Sequence, residues 1–237
     1  SQLASSRIIL ALDYDRARDA CALARSLRGL VGWVKVGNQL FTAEGPTVVE
    51  RLARMGYGVF LDLKFHDIPS TVAGAVGAAA RLRGVRLLTL HVLGGVEMMR
   101  AARKAVGGMK NPPKLLGVTV LTSHDAASLR RIGVAGPPAS RAVKLARLAK
   151  DAGLDGVVAS AHEVRAIRRA CGPKFLIVVP GIRPTDSATN DQSRVATPAD
   201  AIRAGASYLV VGRPITAAEN PREAASHIVQ EISFVLS

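Results

Sequence analysis

Val59-Phe60-Leu61-Asp62-Leu63-Lys64 reads as a strand that stays apolar until its last three residues and then stops sharply. A run of this kind belongs to a strand covered on both faces. Side chains alternate across a strand, so Asp62 and Lys64 are expected on one side and Leu63 on the other, towards a helix layer. The turn Phe65-His66-Asp67-Ile68-Pro69 follows. Pro69 discourages continuation of the strand and can open the next helix.

Seven further runs of the same character occur at 7–13, 33–37, 87–91, 115–119, 156–160, 175–180 and 208–212. Between them lie Ala-, Leu- and Arg-rich stretches with helical periodicity, such as 16–27, 46–54, 71–82 and 141–151. Alternation of this kind is the pattern of parallel strands joined by crossover helices. Eight units in 237 residues predict an α/β fold, a TIM (β/α)8 barrel, forming a single domain over residues 1–237. No linker or break in composition argues for a second domain.

Polar residues gather at one end of the strands. Asp13, Lys35, Lys64, His91, Thr119, Ser160 and Arg213 all fall at or just past a C-terminal strand end, the face on which barrel enzymes build their active sites. Lys35 can reach the space that Asp62 and Lys64 share, and Asp67 follows in the next turn. Burying ions costs several kcal/mol each, roughly, even when they are paired, so four charges at one strand end call for a reason beyond stability. An alternating Lys/Asp array can present negative charge to a substrate carboxylate and a proton to the carbanion left when that carboxylate departs.

The formal charge of +14 raises the possibility of nucleic-acid binding. Its distribution argues otherwise. Arg81, Arg83 and Arg86, then Arg100, Arg103 and Lys104, then Arg165, Arg168 and Arg169 are spread over several expected helices, with few aromatics among them. A solvated basic outer surface is the expectation, with a field that draws in small anions. Cys21 and Cys171 lie far apart and form no metal-type or redox-type pair. No segment resembles a signal peptide or a membrane span, so a cytoplasmic protein is expected, with no membrane or nucleic-acid partner.

Several segments together resemble the orotidine 5'-monophosphate decarboxylase family. They are Val34-Lys35-Val36-Gly37, Phe60 to Pro69, Val118 to Ser123, Pro180-Gly181-Ile182-Arg183-Pro184, Asp191-Gln192 and Val211 to Thr216. The likeness runs from Asp13 to Pro221. Asp-x-Lys-x-x-Asp at 62–67 recurs across a wider barrel superfamily, whereas its combination with Lys35 and Gly212-Arg213-Pro214-Ile215 is more specific.

The resemblance implies decarboxylation of orotidine 5'-monophosphate to UMP, the last step of de novo pyrimidine nucleotide synthesis, without metal or other cofactor. It implies that Lys64 donates a proton to C6 of the pyrimidine, that Asp62 lies beside the scissile carboxylate, and that Lys35 bridges the charges. Asp13 and Lys35 would hold ribose hydroxyls, and Thr122 and Ser123 would lie against the pyrimidine. Pro180, Arg183, Gln192, Gly212 and Arg213 would complete the substrate site, the last four around the 5'-phosphate. An obligate homodimer is also implied, with Asp67, Ile68 and Thr71 reaching into the partner's site.

Position on the fold supports the phosphate assignment separately, because barrels commonly bind phosphate with the loops after strands seven and eight. Gly212 permits close backbone approach, and Arg213 offers a fork matched to phosphate oxygens. The long connection 181–197 is expected to be a lid or binding loop. The nearest rival is a magnesium-dependent sugar-phosphate lyase, a 3-keto-gulonate-phosphate decarboxylase or hexulose-phosphate synthase. In those enzymes the position of Lys35 resembles a metal-binding glutamate, and a hard cation needs oxygen ligands that lysine cannot give. A basic nucleic-acid-binding barrel without chemistry is the remoter alternative. His66 and His91 are read as structural, Ser160 as a possible pocket residue, and His162-Glu163 as a helix opening with no further role.

Overall fold

The computed structural model describes residues 1–184 and 196–237. Eight parallel strands close a barrel in chain order: β1 (Ile8–Ala11), β2 (Trp33–Gly37), β3 (Gly58–Phe65), β4 (Val85–His91), β5 (Lys114–Val118), β6 (Gly156–Val158), β7 (Leu176–Val179) and β8 (Tyr208–Val211), with β8 paired back to β1. The fold is the TIM barrel expected. Asp13, Ser160, Pro180 and Gly212, expected to end strands, fall just beyond them, where the chain leaves the ladder.

Helices follow the strands on the outside. Helix Pro69–Ala80 after β3 begins with Pro69 in its first turn, and helix Pro138–Asp151 after β5 likewise begins with a proline. Both start earlier than periodicity alone suggests, because proline lacks the N–H that a first turn leaves unpaired. No helix among the described residues is long and apolar enough to cross a membrane.

Two layers of apolar packing result. Ile9, Ala11, Phe60, Leu87, Leu116, Val178 and Val210 fill the barrel interior, while a larger cluster lies between the strands and the helices. Leu63 packs with this outer layer, as alternation requires. Trp33 and Tyr208 meet edge to face at 5.4 Å, and the Trp33 indole donates to the Ser6 carbonyl at 3.1 Å. A methyl group on Gly58 would come within 2.6 Å of the Trp33 ring, so the indole occupies space that only glycine leaves open.

One expectation about the basic surface needs correction. Arg168 is not simply solvated: its guanidinium donates to the carbonyls of Gly172, Pro173, Phe175 and Gly205, joining the end of helix Val164–Cys171 to the entrances of β7 and β8. Arg103 similarly pairs with Asp155 at 3.0 Å. Planar, multiply donating guanidinium groups suit clusters of carbonyl oxygens.

Strand β3 also departs from simple alternation. Leu61 pairs with Leu88 and Phe65 with Leu90, so residues 62–64 occupy the space opposite Thr89 alone. Within this bulge Lys64 has φ 49°, the one positive φ outside glycine among the described residues. Such a conformation in a side-chain-bearing residue costs about 1–3 kcal/mol and persists where its surroundings hold it.

Candidate active site

Alternation along β2, β3 and β4 stacks the inward side chains in tiers. Above Trp33 on β2 stands Lys35, above Phe60 on β3 stands Asp62, and above Leu87 on β4 stands Thr89. The lower members fill the barrel; the upper ones carry charge or a hydroxyl.

These upper side chains form a continuous chain of opposite charges. Lys35 Nζ lies 3.4 Å from Asp13 Oδ1 and 3.6 Å from Asp62 Oδ2, and Lys64 Nζ lies 2.9 Å from the same Asp62 oxygen. The other oxygen, Asp62 Oδ1, accepts from Thr89 Oγ1 at 2.9 Å. Exposure rises towards the ends, from 9% for the Asp62 side chain to 29% for Lys64 and 58% for Asp13. A carboxylate so deeply buried needs several donors, and it has them.

The cluster opens on a cavity of about 300 Å³. Its apolar floor includes Phe60, Val118, Val158 and Val210, and its rim carries Thr122, Ser123 and Pro180. Lysine ammonium and aspartate carboxylate therefore face an otherwise largely apolar space, where charges act more strongly than in water.

Gly212 and Arg213 follow β8 directly, with Gly212 capping the short helix Arg213–Thr216. Arg183 lines a neighbouring, larger cavity of about 610 Å³ together with Ser160 and Pro180. The Arg183 N–H donates to the Ala196 carbonyl at 3.3 Å. Gln192 and most of the connection expected to act as a lid lie outside the described residues. Asp67, Ile68 and Thr71 do not line the cavity of their own chain and are exposed, Ile68 to 63%. The Asp67 carboxylate accepts from the Ile68 N–H at 2.6 Å.

Three features escaped the reading of the sequence. Thr89 looks like an ordinary strand residue in Leu-Leu-Thr-Leu, yet it is fully buried against Asp62. Gly37 lies beside the Lys35 ammonium: a methyl group there would stand 2.9 Å from Nζ. Glu163 was expected only to favour a helix N-terminus, but it is buried in a capping box with Ser160. Burial pushes the Glu163 carboxyl up to about 7, partly offset by the Ser160 N–H. His91 rests against His66 with ring centres 5.4 Å apart. Burial, then His66 and Lys64, push its imidazole below the usual histidine range, with Asp62 opposing.

Comparison with known proteins gives a consistent picture. The model of the Orotidine 5'-phosphate decarboxylase / HUMPS family matches residues 6–228. A protein of Nitrosococcus oceani named orotidine 5'-phosphate decarboxylase is 52% identical, the match covering 97% of this chain and 99% of the relative. One of Syntrophotalea carbinolica with the same name is 53% identical, covering 98% and 97%. The crystal structure of orotidine 5'-phosphate decarboxylase from Lactobacillus acidophilus superposes with a TM-score of 0.82 at 39% identity, covering 96% of this chain and 99% of that one. With a family match that spans all eight strands and the charged rim they carry, this chain belongs to the Orotidine 5'-phosphate decarboxylase / HUMPS family.

Proposed function

We propose that this chain decarboxylates orotidine 5'-monophosphate to UMP and carbon dioxide in pyrimidine nucleotide synthesis, within one barrel domain spanning residues 1–237. The observation that carries the reading is the alternating series Asp13, Lys35, Asp62, Lys64, of which Lys35, Asp62 and Lys64 line the cavity. The relatives named above support it. The two free, buried cysteines, Cys21 and Cys171, suit a cytoplasmic setting, where thiols stay reduced.

In this reading the bond from C6 to the carboxylate breaks, and its electron pair remains on C6. Lys64 supplies the proton that C6 takes up, and is reprotonated from solvent. Asp62 holds the Lys64 ammonium beside the cavity, and Lys35 ties Asp62 to Asp13. Preorganised charge of this kind stabilises a developing carbanion without reorganisation at the moment of reaction. Asp13 and Lys35 engage the ribose hydroxyls, and Thr122, Ser123 and Pro180 border the pyrimidine. Arg183, Gln192, Gly212 and Arg213 hold the 5'-phosphate, whose binding energy is available to the chemistry at C6.

Asp67, Ile68 and Thr71 serve the site of a second copy in a homodimer. Their exposure supports this, as do the exposed apolar side chains Leu93 (48%) and Ile132 (59%), which line one small cavity of about 110 Å³ with His66. Apolar groups concentrated on one surface commonly mark an interface.

The test is turnover of orotidine 5'-monophosphate by the purified chain in excess chelator, followed by formation of UMP. Sustained turnover is expected. Activity that disappears with the chelator, or that appears only with a sugar phosphate and magnesium, would favour the metal-dependent lyase reading.

A further inference from the structure

We infer that Thr89 is a positioning residue of the active site, holding both the carboxylate of Asp62 and the backbone from which Lys64 projects. The inference rests on the reading of Lys64 as proton donor. Its basis is a single hydroxyl with two bonds. Thr89 Oγ1 donates to Asp62 Oδ1 at 2.9 Å and accepts the Lys64 backbone N–H at 3.0 Å. One O–H donor and two lone pairs make both bonds possible at once.

The bulge in β3 explains why a hydroxyl is needed there. Residues 62–64 stand opposite Thr89, so Lys64 N–H is met by a side chain of β4 where a regular ladder would offer a carbonyl. Lys64 at φ 49° is in a region that lysine rarely enters. Its side chain then turns back to Asp62, with Nζ 2.9 Å from Oδ2. Thr89 thus closes a small circuit: its hydroxyl fixes one end at Asp62, the other at the Lys64 amide, and the Lys64–Asp62 ion pair completes the loop. With Thr89 at 0% exposure, water does not readily replace the hydroxyl.

A β-branched residue contributes shape as well as hydrogen bonding, and the two can be separated. Thr89→Val keeps the shape and removes both bonds; Thr89→Ser keeps the hydroxyl. For Thr89→Val, kcat on orotidine 5'-monophosphate is expected to fall roughly 100-fold through misplacement of the reacting group, with KM and UMP affinity changed less than about twofold. Thr89→Ser is expected to recover kcat to within about tenfold of the original chain. Should the valine variant fail to fold, Thr89→Cys replaces it, because a thiol is a weak donor in a similar volume.

Full kcat in Thr89→Val, or in Thr89→Cys if that variant is used, overturns the inference. So does a rise in KM at unchanged kcat, which would make Thr89 a substrate contact, or a serine variant as slow as the valine or cysteine one. Lys64→Ala and the original chain are assayed alongside. Failure of the original chain to decarboxylate, or full activity of Lys64→Ala, defeats the functional reading itself; full activity of Thr89→Val beside an inactive Lys64→Ala removes Thr89 alone.

Discussion

Gly37 and Lys35 share the top of β2, and a methyl group on Gly37 would stand 2.9 Å from the Lys35 ammonium nitrogen. The backbone of Gly37 is extended, with φ −100° and ψ −169°, so alanine could adopt it. The glycine is therefore valuable for the space it leaves. That space lets Lys35 lie between Asp13 and Asp62.

Gly37→Ala is accordingly expected to push Lys35 out of its bridge while leaving the fold intact. Decarboxylation should drop by at least about tenfold, with unfolding free energy changed by less than about 1 kcal/mol. Steady-state kinetics and urea unfolding on the same preparation check both statements. Wild-type activity in the alanine variant would show that Lys35 adjusts without consequence.

Asp62 and Lys64 should differ in what their loss does to stability. Without Asp62, the Lys35 and Lys64 ammonium groups lose the carboxylate between them, and Thr89 loses an acceptor. Removing one partner from a buried ionic cluster is costly, so Asp62→Ala is expected to destabilise by about 3 kcal/mol. Lys64→Ala leaves Asp62 with Lys35 and Thr89 and should cost clearly less, while abolishing turnover. Denaturant unfolding and UMP titration test this order. A Lys64→Ala chain less stable than Asp62→Ala would contradict it.

Much of the architecture was legible because it depends on repeated, redundant signals. Each strand is an apolar run ended by polar residues, and an error in one of eight would not have hidden the barrel. The charge cluster was legible because Asp62, Lys64 and Lys35 are conspicuous at strand ends. What escaped depends on single atoms. A period of two cannot foresee the bulge that sets Lys64 at φ 49°, and nothing in Leu87-Leu88-Thr89-Leu90 tells whether the hydroxyl meets a carboxylate. Arg168 was misread because charge alone does not reveal carbonyl partners contributed by distant turns.

Glu163 gives stability a pH dependence of unusual sign. Its folded-state carboxyl is raised from 4.5 to about 7, chiefly by burial. Between those values the folded chain retains a proton that the unfolded chain has released. Stability from this group is therefore highest below about 4.5, falls as pH rises towards about 7, and levels off above it, for a total of at most about 3 kcal/mol. Glu163→Gln should flatten the fall, since an amide oxygen can still accept from the Ser160 N–H. Unfolding curves between pH 5 and pH 8, compared for the two chains, provide the measurement. Parallel curves would mean that Glu163 ionises without strain.

Arg168 should matter for stability and little for chemistry. Its guanidinium reaches carbonyls on both sides of β7 from the helix Val164–Cys171. Arg168→Ala strands several of them and is expected to cost roughly 3 kcal/mol, while Arg168→Lys recovers only part because an ammonium lacks the planar fork. kcat per folded molecule should remain near the original. Equal stability of the lysine variant and the original chain would show that charge, and not the fork, is what the site requires.

The homodimer can be tested through the separation of Asp67 from the cavity that Lys64 lines. Asp67 is exposed on its own chain, whereas Lys64 stands beside Asp62 at the cavity wall. If Asp67 serves the neighbouring subunit, Lys64→Ala and Asp67→Ala homodimers are each impaired in both sites. A heterodimer of the two has one site lacking both residues and one site with both intact. Random 1:1 mixing makes half the dimers heterodimers, so activity should recover to about one quarter of the original. Association states are checked by tagging each protomer differently and isolating the mixed species before assay. An isolated heterodimer with no more activity than its parents would show that Asp67 acts within its own chain or outside the site altogether.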